Sequence, residues 1–368
     1  MAISTIENSV IFGGFLIGFF FGGLSQSSRF CILGAISDYY LFQRTERLKL
    51  YLLVLVTAIL GTQILIFNDF INASDSYFLK RPQPFMSYII GGLFFGFGMT
   101  LASGCTSRNL VKLGEGDLKA LLVIITVGIS SIATMKGIFS ELRVNIPSIF
   151  HFNESKLDII SIIASLSTDN RLIIRALLII ICTCIISFFF LRLIFMNTFN
   201  KRLFFFGVCL GLTVVGGWYL TGVVGFISEH PDSLEAEYLN TNSRTLESLS
   251  FVGPIGYLLD LLMNWSDNSK FISFGITCVI GTIFGSWISA KKNDQILISS
   301  FCSAKDFLHH LLGGILMGTG GVVAIGCTVG HGLSGLSVLF IGSIIVCISI
   351  FIGSIVGLKY LEKEHTNS

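Results

Sequence analysis

Apolar residues in this chain are gathered into long blocks and do not recur at the spacing of a half-buried helix or strand. Nine blocks nearly devoid of charge run from Ser9 to Ser28, Leu50 to Phe67, Phe85 to Ser103, Leu121 to Met135, Leu172 to Leu191, Leu203 to Ser228, Phe271 to Ala290, Phe307 to Ile325 and Leu333 to Leu358. A helix of about 20 residues crosses a hydrocarbon core of about 30 Å, so the pattern predicts about nine transmembrane helices. The first block has no basic leader or clear small-residue cleavage site and reads as a span, not as a signal peptide. Two long polar segments, Glu141 to Arg171 and Glu229 to Lys270, read as loops on one face of the bilayer.

Composition agrees. Of 368 residues, 52% are hydrophobic and 12% charged, and mean hydropathy is +0.80, which fits a chain solvated by the lipid bilayer. A net charge of +2, from 24 Lys and Arg against 22 Asp and Glu, leaves no basic face for nucleic acid. Most of those cations, among them Arg29, Arg44, Arg47, Lys49, Lys201, Arg202, Lys291 and Lys292, flank the crossings on one side. The positive-inside rule makes that side cytoplasmic, with a periplasmic N-terminus and a cytoplasmic C-terminus. No carboxylate lies centrally in a crossing, and no G-x-x-x-x-G-K-[ST] loop is present, so neither a buried proton relay nor an ATP-driven pump is indicated. Nine cysteines, mostly inside apolar blocks, read as free thiols. Their spacing matches no zinc site, and no metal or cofactor is expected.

A repeat organises the chain. Gly91, Gly92, Gly96, Gly98, Gly104, Cys105 and Thr106 recur, with identical spacing, as Gly313, Gly314, Gly318, Gly320, Gly326, Cys327 and Thr328, an offset of 222 throughout. The copies fall on the third and eighth crossings, which traverse the bilayer in opposite directions. The expected fold is therefore an all-α integral membrane protein of two inverted-topology repeats related by a pseudo-two-fold axis, with short partial helices after each Gly-Cys-Thr triplet. It forms one membrane domain: residues 1–140 as the first repeat, 141–202 as outer loop and linking helix, 203–358 as the second repeat and 359–368 as a cytoplasmic tail.

At such breaks, backbone N–H groups at a helix start favour an anion. Cys105 and Cys327 stand at the two triplets, and Cys31 follows Ser27-Ser28-Arg29-Phe30 at the end of the first crossing. A thiol is a weak donor with a polarizable sulfur, suited to a sulfur-bearing anion. The candidate pathway comprises Cys31, Cys105 and Cys327 with Gly104, Thr106, Ser107, Gly326 and Thr328. Arg29 and Arg108 are candidate charged donors, with topology-setting arginines as the plain alternative. His331 is either an anion ligand or a packed, hydrogen-bonded histidine. The other six cysteines read as small packing residues.

Three stretches carry a family resemblance: Ser28-Arg29-Phe30-Cys31 with Gly34-Ala35, Ala102-Ser103-Gly104-Cys105-Thr106-Ser107, and Ala324-Ile325-Gly326-Cys327-Thr328-Val329-Gly330-His331-Gly332. They resemble the YeeE/YedE family of sulfur-compound transporters. The resemblance implies an hourglass of partial helices and import of thiosulfate or a related sulfur anion across the bacterial inner membrane, with Cys105 central and Cys31 and Cys327 to either side. It also admits a selenium compound as cargo and a small cytoplasmic sulfur-carrier protein as partner. The alternative in a different class is a membrane sulfurtransferase that passes persulfide sulfur to a cytoplasmic acceptor. One departure is visible: family members often continue the central triplet with Ser-Gly-His-Gly, whereas Ser107-Arg108-Asn109 follows here and adds a positive charge.

Overall fold

The computed structural model describes residues 2–80, 85–141, 201–229, 234–267, 269–296 and 298–367. In chain order the helices are α1 (Ala2–Ser28), α2 (Ile32–Phe42), α3 (Glu46–Phe67), α4 (Phe85–Leu101), α5 (Thr106–Glu115) and α6 (Leu118–Met135), then α7 (Lys201–Tyr219), α8 (Val252–Met263), α9 (Phe274–Lys292), α10 (Ala304–Val323) and α11 (Ile341–Asn367). A π-helical turn, Leu220–Val224, extends α7, and another occupies Gly330–Gly335. Two-residue strands β1 (Phe226–Ile227) and β2 (Glu237–Tyr238) pair antiparallel.

Seven described helical stretches are long and apolar enough to cross a membrane, so the protein is a mostly helical, multi-pass membrane protein. The eighth expected crossing is the 20-residue α10; Lys305, Asp306, His309 and His310 near its start make it more polar than the seven. The fifth expected crossing, Leu172 to Leu191, lies outside the described residues.

The structure corrects two readings. The segment from Glu229 to Lys270 is not a polar loop throughout, because Leu246, Leu249 and Phe251 are fully buried and α8 follows them. Cys31 stands at a helix break past the end of the first crossing, as expected, and its thiol also caps the start of α2. At 11 and 12 residues, α2 and α8 are about 17 Å long, too short to leave a spanning block in the sequence. The final block also divides, with the π turn first, Leu339 at φ 57°, and α11 beginning only at Ile341.

Close helix contacts explain the glycines. Along the α1–α9 interface, a Cβ at Gly18 or Gly22 would collide with the carbonyl of Cys278 or Thr282, and one at Gly281 or Gly285 with that of Phe15 or Phe19. Water-driven burial is absent in lipid, so helices associate through van der Waals packing, which small residues bring to backbone distance. α4 and α10 cross the same way: a Cβ at Gly91 would lie 2.5 Å from the Ala324 nitrogen, and one at Gly313 2.7 Å from that of Ala102. These helices therefore overlap antiparallel across 91–102 and 313–324. Their C-terminal ends lie at opposite ends of that overlap, roughly 16 Å apart along the axis.

Candidate functional site

The helices that precede the three candidate cysteines end alike, in a turn that other helices of the protein also use. At the end of α1, the Arg29 N–H donates to Gln26 O (3.2 Å) and the Phe30 N–H to Ser25 O (3.0 Å). At the end of α4, Ser103 donates to Thr100 O (3.2 Å) and Gly104 to Met99 O (2.9 Å); at the end of α10, Ile325 donates to Val322 O (3.1 Å) and Gly326 to Gly321 O (2.8 Å). Each is a Schellman motif, with the left-handed position held by Arg29 (φ 52°), Ser103 (φ 53°) and Ile325 (φ 66°). A β-branched residue at positive φ is strained, and Ile325 is held there by its surroundings. In every case the next helix starts two residues on from the left-handed one, and the residue at that start is a cysteine: Cys31 before α2, Cys105 before α5, and Cys327 before the helical residues 328–337. α5 and 328–337 coincide under the 222 offset.

The three thiols differ in their partners. Cys31 accepts from the Gly34 N–H at 3.2 Å and lies within electrostatic reach of Cys105, Arg108 and Lys112. Cys105 is 1% exposed, does not cap the backbone N–H groups of α5 and sits 3.3 Å from the Ser107 hydroxyl. Cys327, fully buried, accepts from the Gly330 N–H at 3.3 Å and has Ser250 Oγ 4.0 Å away. Two groups result, one around Cys31 and Cys105, the other around Cys327 and Ser250. Thr106 and Thr328, repeat partners at the two helix starts, both bury hydroxyls that have no hydrogen-bond partner among the described residues. An unpaired buried hydroxyl is costly, and a ligand would remove that cost.

His331 turns out to be structural. Its Nε2–H donates to Ala324 O (2.7 Å), and its Nδ1 accepts from Ser343 Oγ (2.9 Å), so a neutral ring has both nitrogens occupied. Phe78, Tyr88 and Phe340 enclose this region, and a Cβ on Gly326 would meet the ring at 2.7 Å. No nitrogen remains for an anion. Asn109, its counterpart under the same offset, ties α5 to the break through Gly104 O (2.8 Å) and Cys105 O (3.1 Å). Sequence reasoning passed over Asn109, although the offset pointed to it.

A cavity of about 590 Å³ opens beside the first group, lined among others by Arg29, Cys31, Arg47, Ser103, Arg108 and Glu115. Arg108 forks onto Glu115 with both contacts at 3.2 Å, and Arg47 pairs with Asp38 at 3.3 Å. Arg29 is exposed and has no ion pair among the described residues. The second feature missed in the sequence is Ser250, hidden in what read as an outer loop.

Comparison with known proteins decides the lineage. A model of the family described as "Sulphur transport" matches residues 27–356. The chain belongs to the sulphur transport family. Among similar members of this family, a thiosulfate transporter, TsuA, from Spirochaeta thermophila is 27% identical over 358 residues, covering 94% of this chain and 97% of its own length. The thiosulfate transporter TsuA of Escherichia coli is 24% identical over 339 residues, covering 88% of this chain and 87% of its own. The family match spans all three cysteine-bearing breaks.

Proposed function

We propose that this sulphur transport family member imports thiosulfate, or a closely related sulfur anion, across the bacterial inner membrane along a path of cysteine thiols. The observation that carries the reading is the recurrence of one local geometry, helix, left-handed residue, cysteine, helix, at Cys31, Cys105 and Cys327. The names of the relatives supply the anion. Thiols suit its outer sulfur, because a weak S–H donor holds an ion without trapping it. Gly104 and Gly326 shape the breaks, and Thr106, Ser107 and Thr328 add hydroxyls at the helix starts. Arg29 attracts the anion into the cavity, Arg108 lines it with its charge shared with Glu115, and His331 positions the second break.

The chain acts as one membrane unit of two inverted repeats. Support comes from packing that survives exchange of the halves: α1 lies on α9 as α7 lies on α3, and α4 on α11 as α10 on α6. It comes also from Asp38 and Asp260, 222 residues apart, which pair with Arg47 and with Lys136 and Lys270 respectively. In this reading the cavity opens to the cytoplasm, the N-terminus is periplasmic, and a small sulfur-carrier protein could receive the cargo. Sulfur transfer by the chain itself has less support, because it needs a thiolate, and the guanidinium of Arg108 is already paired with Glu115.

The test is uptake of thiosulfate labelled on its outer sulfur into proteoliposomes holding only this protein. Accumulation that sulfate blocks poorly is the expected result. Absence of uptake by folded protein would overturn the stand-alone carrier.

A further inference from the structure

The second group of donors contains a residue that neither the motifs nor the family match singles out. Ser250 lies in the stretch from Leu246 to Phe251, which is threaded into the protein by side chains from distant elements. Ser334 donates to Leu249 O (2.8 Å), Ser248 donates to Val214 O (2.8 Å), and the Thr221 hydroxyl donates to Glu247 O. This stretch delivers Ser250 Oγ to 4.0 Å from Cys327 Sγ. Gly330 makes the space, since a Cβ there would come within 3.0 Å of the Ser250 hydroxyl; Arg108 occupies the matching place in the first repeat.

Two features mark this hydroxyl as a ligand group and not a strut. The residue is only partly buried, and the hydroxyl's one hydrogen-bond partner among the described residues is the Cys327 thiol, too distant for a strong bond. The Cys327 sulfur meanwhile accepts from Gly330 N–H, leaving its own S–H free to donate. A hard donor and a soft donor thus stand side by side, 4.0 Å apart and too far to hold each other strongly. Cys105 and Ser107, 3.3 Å apart, form a similar thiol–hydroxyl pair in the first repeat.

We propose that Ser250 is a substrate-binding residue which, with Cys327, forms a second thiol–hydroxyl station on the path. The hydroxyl donates to an oxygen of the sulfonate end of the anion, and the thiol donates to its outer sulfur. Such a pair reads both ends of thiosulfate at once: sulfate lacks the soft end, and a simple thiol lacks the oxygens. The proposal rests on the reading of the chain as a carrier of a sulfur anion. Ser250 lies just before the short helix α8 and beside a buried cysteine, and its counterpart under the 222 offset is Ser28, just before α2.

The experiment is labelled thiosulfate uptake into proteoliposomes by the wild type, Ser250→Ala and Ser250→Thr, with melting temperatures recorded for each. Losing a hydrogen bond to a charged ligand predicts a rise in KM of about tenfold for Ser250→Ala, with maximal rate and melting temperature nearly unchanged. Ser250→Thr, which keeps the hydroxyl, holds KM near the wild-type value. A wild-type KM in Ser250→Ala would overturn the station while leaving the carrier intact. Should Ser250→Ala fail to fold, Ser250→Cys replaces it, with the hard donor lost and the volume kept; there too a raised KM supports the station and an unchanged one overturns it. Failure of the wild type to take up thiosulfate would overturn both readings.

Discussion

Cys105 is nearly inaccessible, makes no cap to its helix and has one hydroxyl for company, so replacing it removes a donor and little else. Cys105→Ala is expected to cut thiosulfate uptake by about a hundredfold, the upper range for a hydrogen bond to a charged group, while the melting temperature in detergent hardly moves. Cys31→Ala and Cys327→Ala, each losing one station of several, should reduce uptake by about tenfold. Cys302, exposed and outside the breaks, serves as the control, and Cys302→Ala should transport as the wild type does. His331 behaves in the opposite sense. Both of its ring bonds are buried, so His331→Ala is expected to destabilise by about 2–4 kcal/mol, read as a loss of folded yield and melting temperature. The residue types at these positions were legible from the 222 offset, but whether His331 held an anion or the fold depended on Ser343 and Ala324, the former twelve residues away and beyond any motif.

Elements in this protein meet at backbone distance, and the glycines are the reason. At Gly22 a side chain would strike the Thr282 carbonyl, so Gly22→Val should cost about 3 kcal/mol or more through overpacking, seen as reduced thermal stability in detergent. The short helices are anchored by charge. Burial works against the Asp260 carboxylate at the end of α8, but hydrogen bonds from Lys136 and Lys270 outweigh it and hold the group down at about 2, below its ordinary 3.8. A depressed carboxylate stabilises the fold above its unfolded value and loses that contribution as pH falls through its folded one. The melting-temperature difference between wild type and Asp260→Asn should therefore be constant above about pH 4 and shrink away as pH approaches 2. Long crossings were readable because 18 or more apolar residues have few alternatives. α2 and α8 were not, since 11 or 12 residues leave a signal indistinguishable from a loop of mixed polarity.

For the whole molecule, the antiparallel overlap of α4 and α10 puts the two triplet-bearing breaks at separate depths, with a different set of donors at each. On the proposed path, an anion passing between them is handed on and not held at one central point. Transport should accordingly show a KM sensitive to Cys31 and to Cys327 independently, and the double variant Cys31→Ala/Cys327→Ala should lose close to the product of the two single effects. A double variant no worse than either single one would mean that both thiols serve one site. Orientation is tested with reporter fusions at the two ends, active outside at the N-terminus and inside at the C-terminus if the basic loops face the cytoplasm.

The amino-acid sequence alone determined the membrane location, most of the crossings, the repeated glycine framework and the three cysteines. These are properties of composition and spacing, and lipid permits few structures that satisfy both. Only the tertiary structure decided which thiol faces which donor, that Arg108 is engaged by Glu115, that His331 is committed to the fold and that Ser250 reaches Cys327. Those outcomes depend on where distant segments come to rest after helices have packed at glycine contacts, and no local pattern encodes the position of a neighbour 77 residues away.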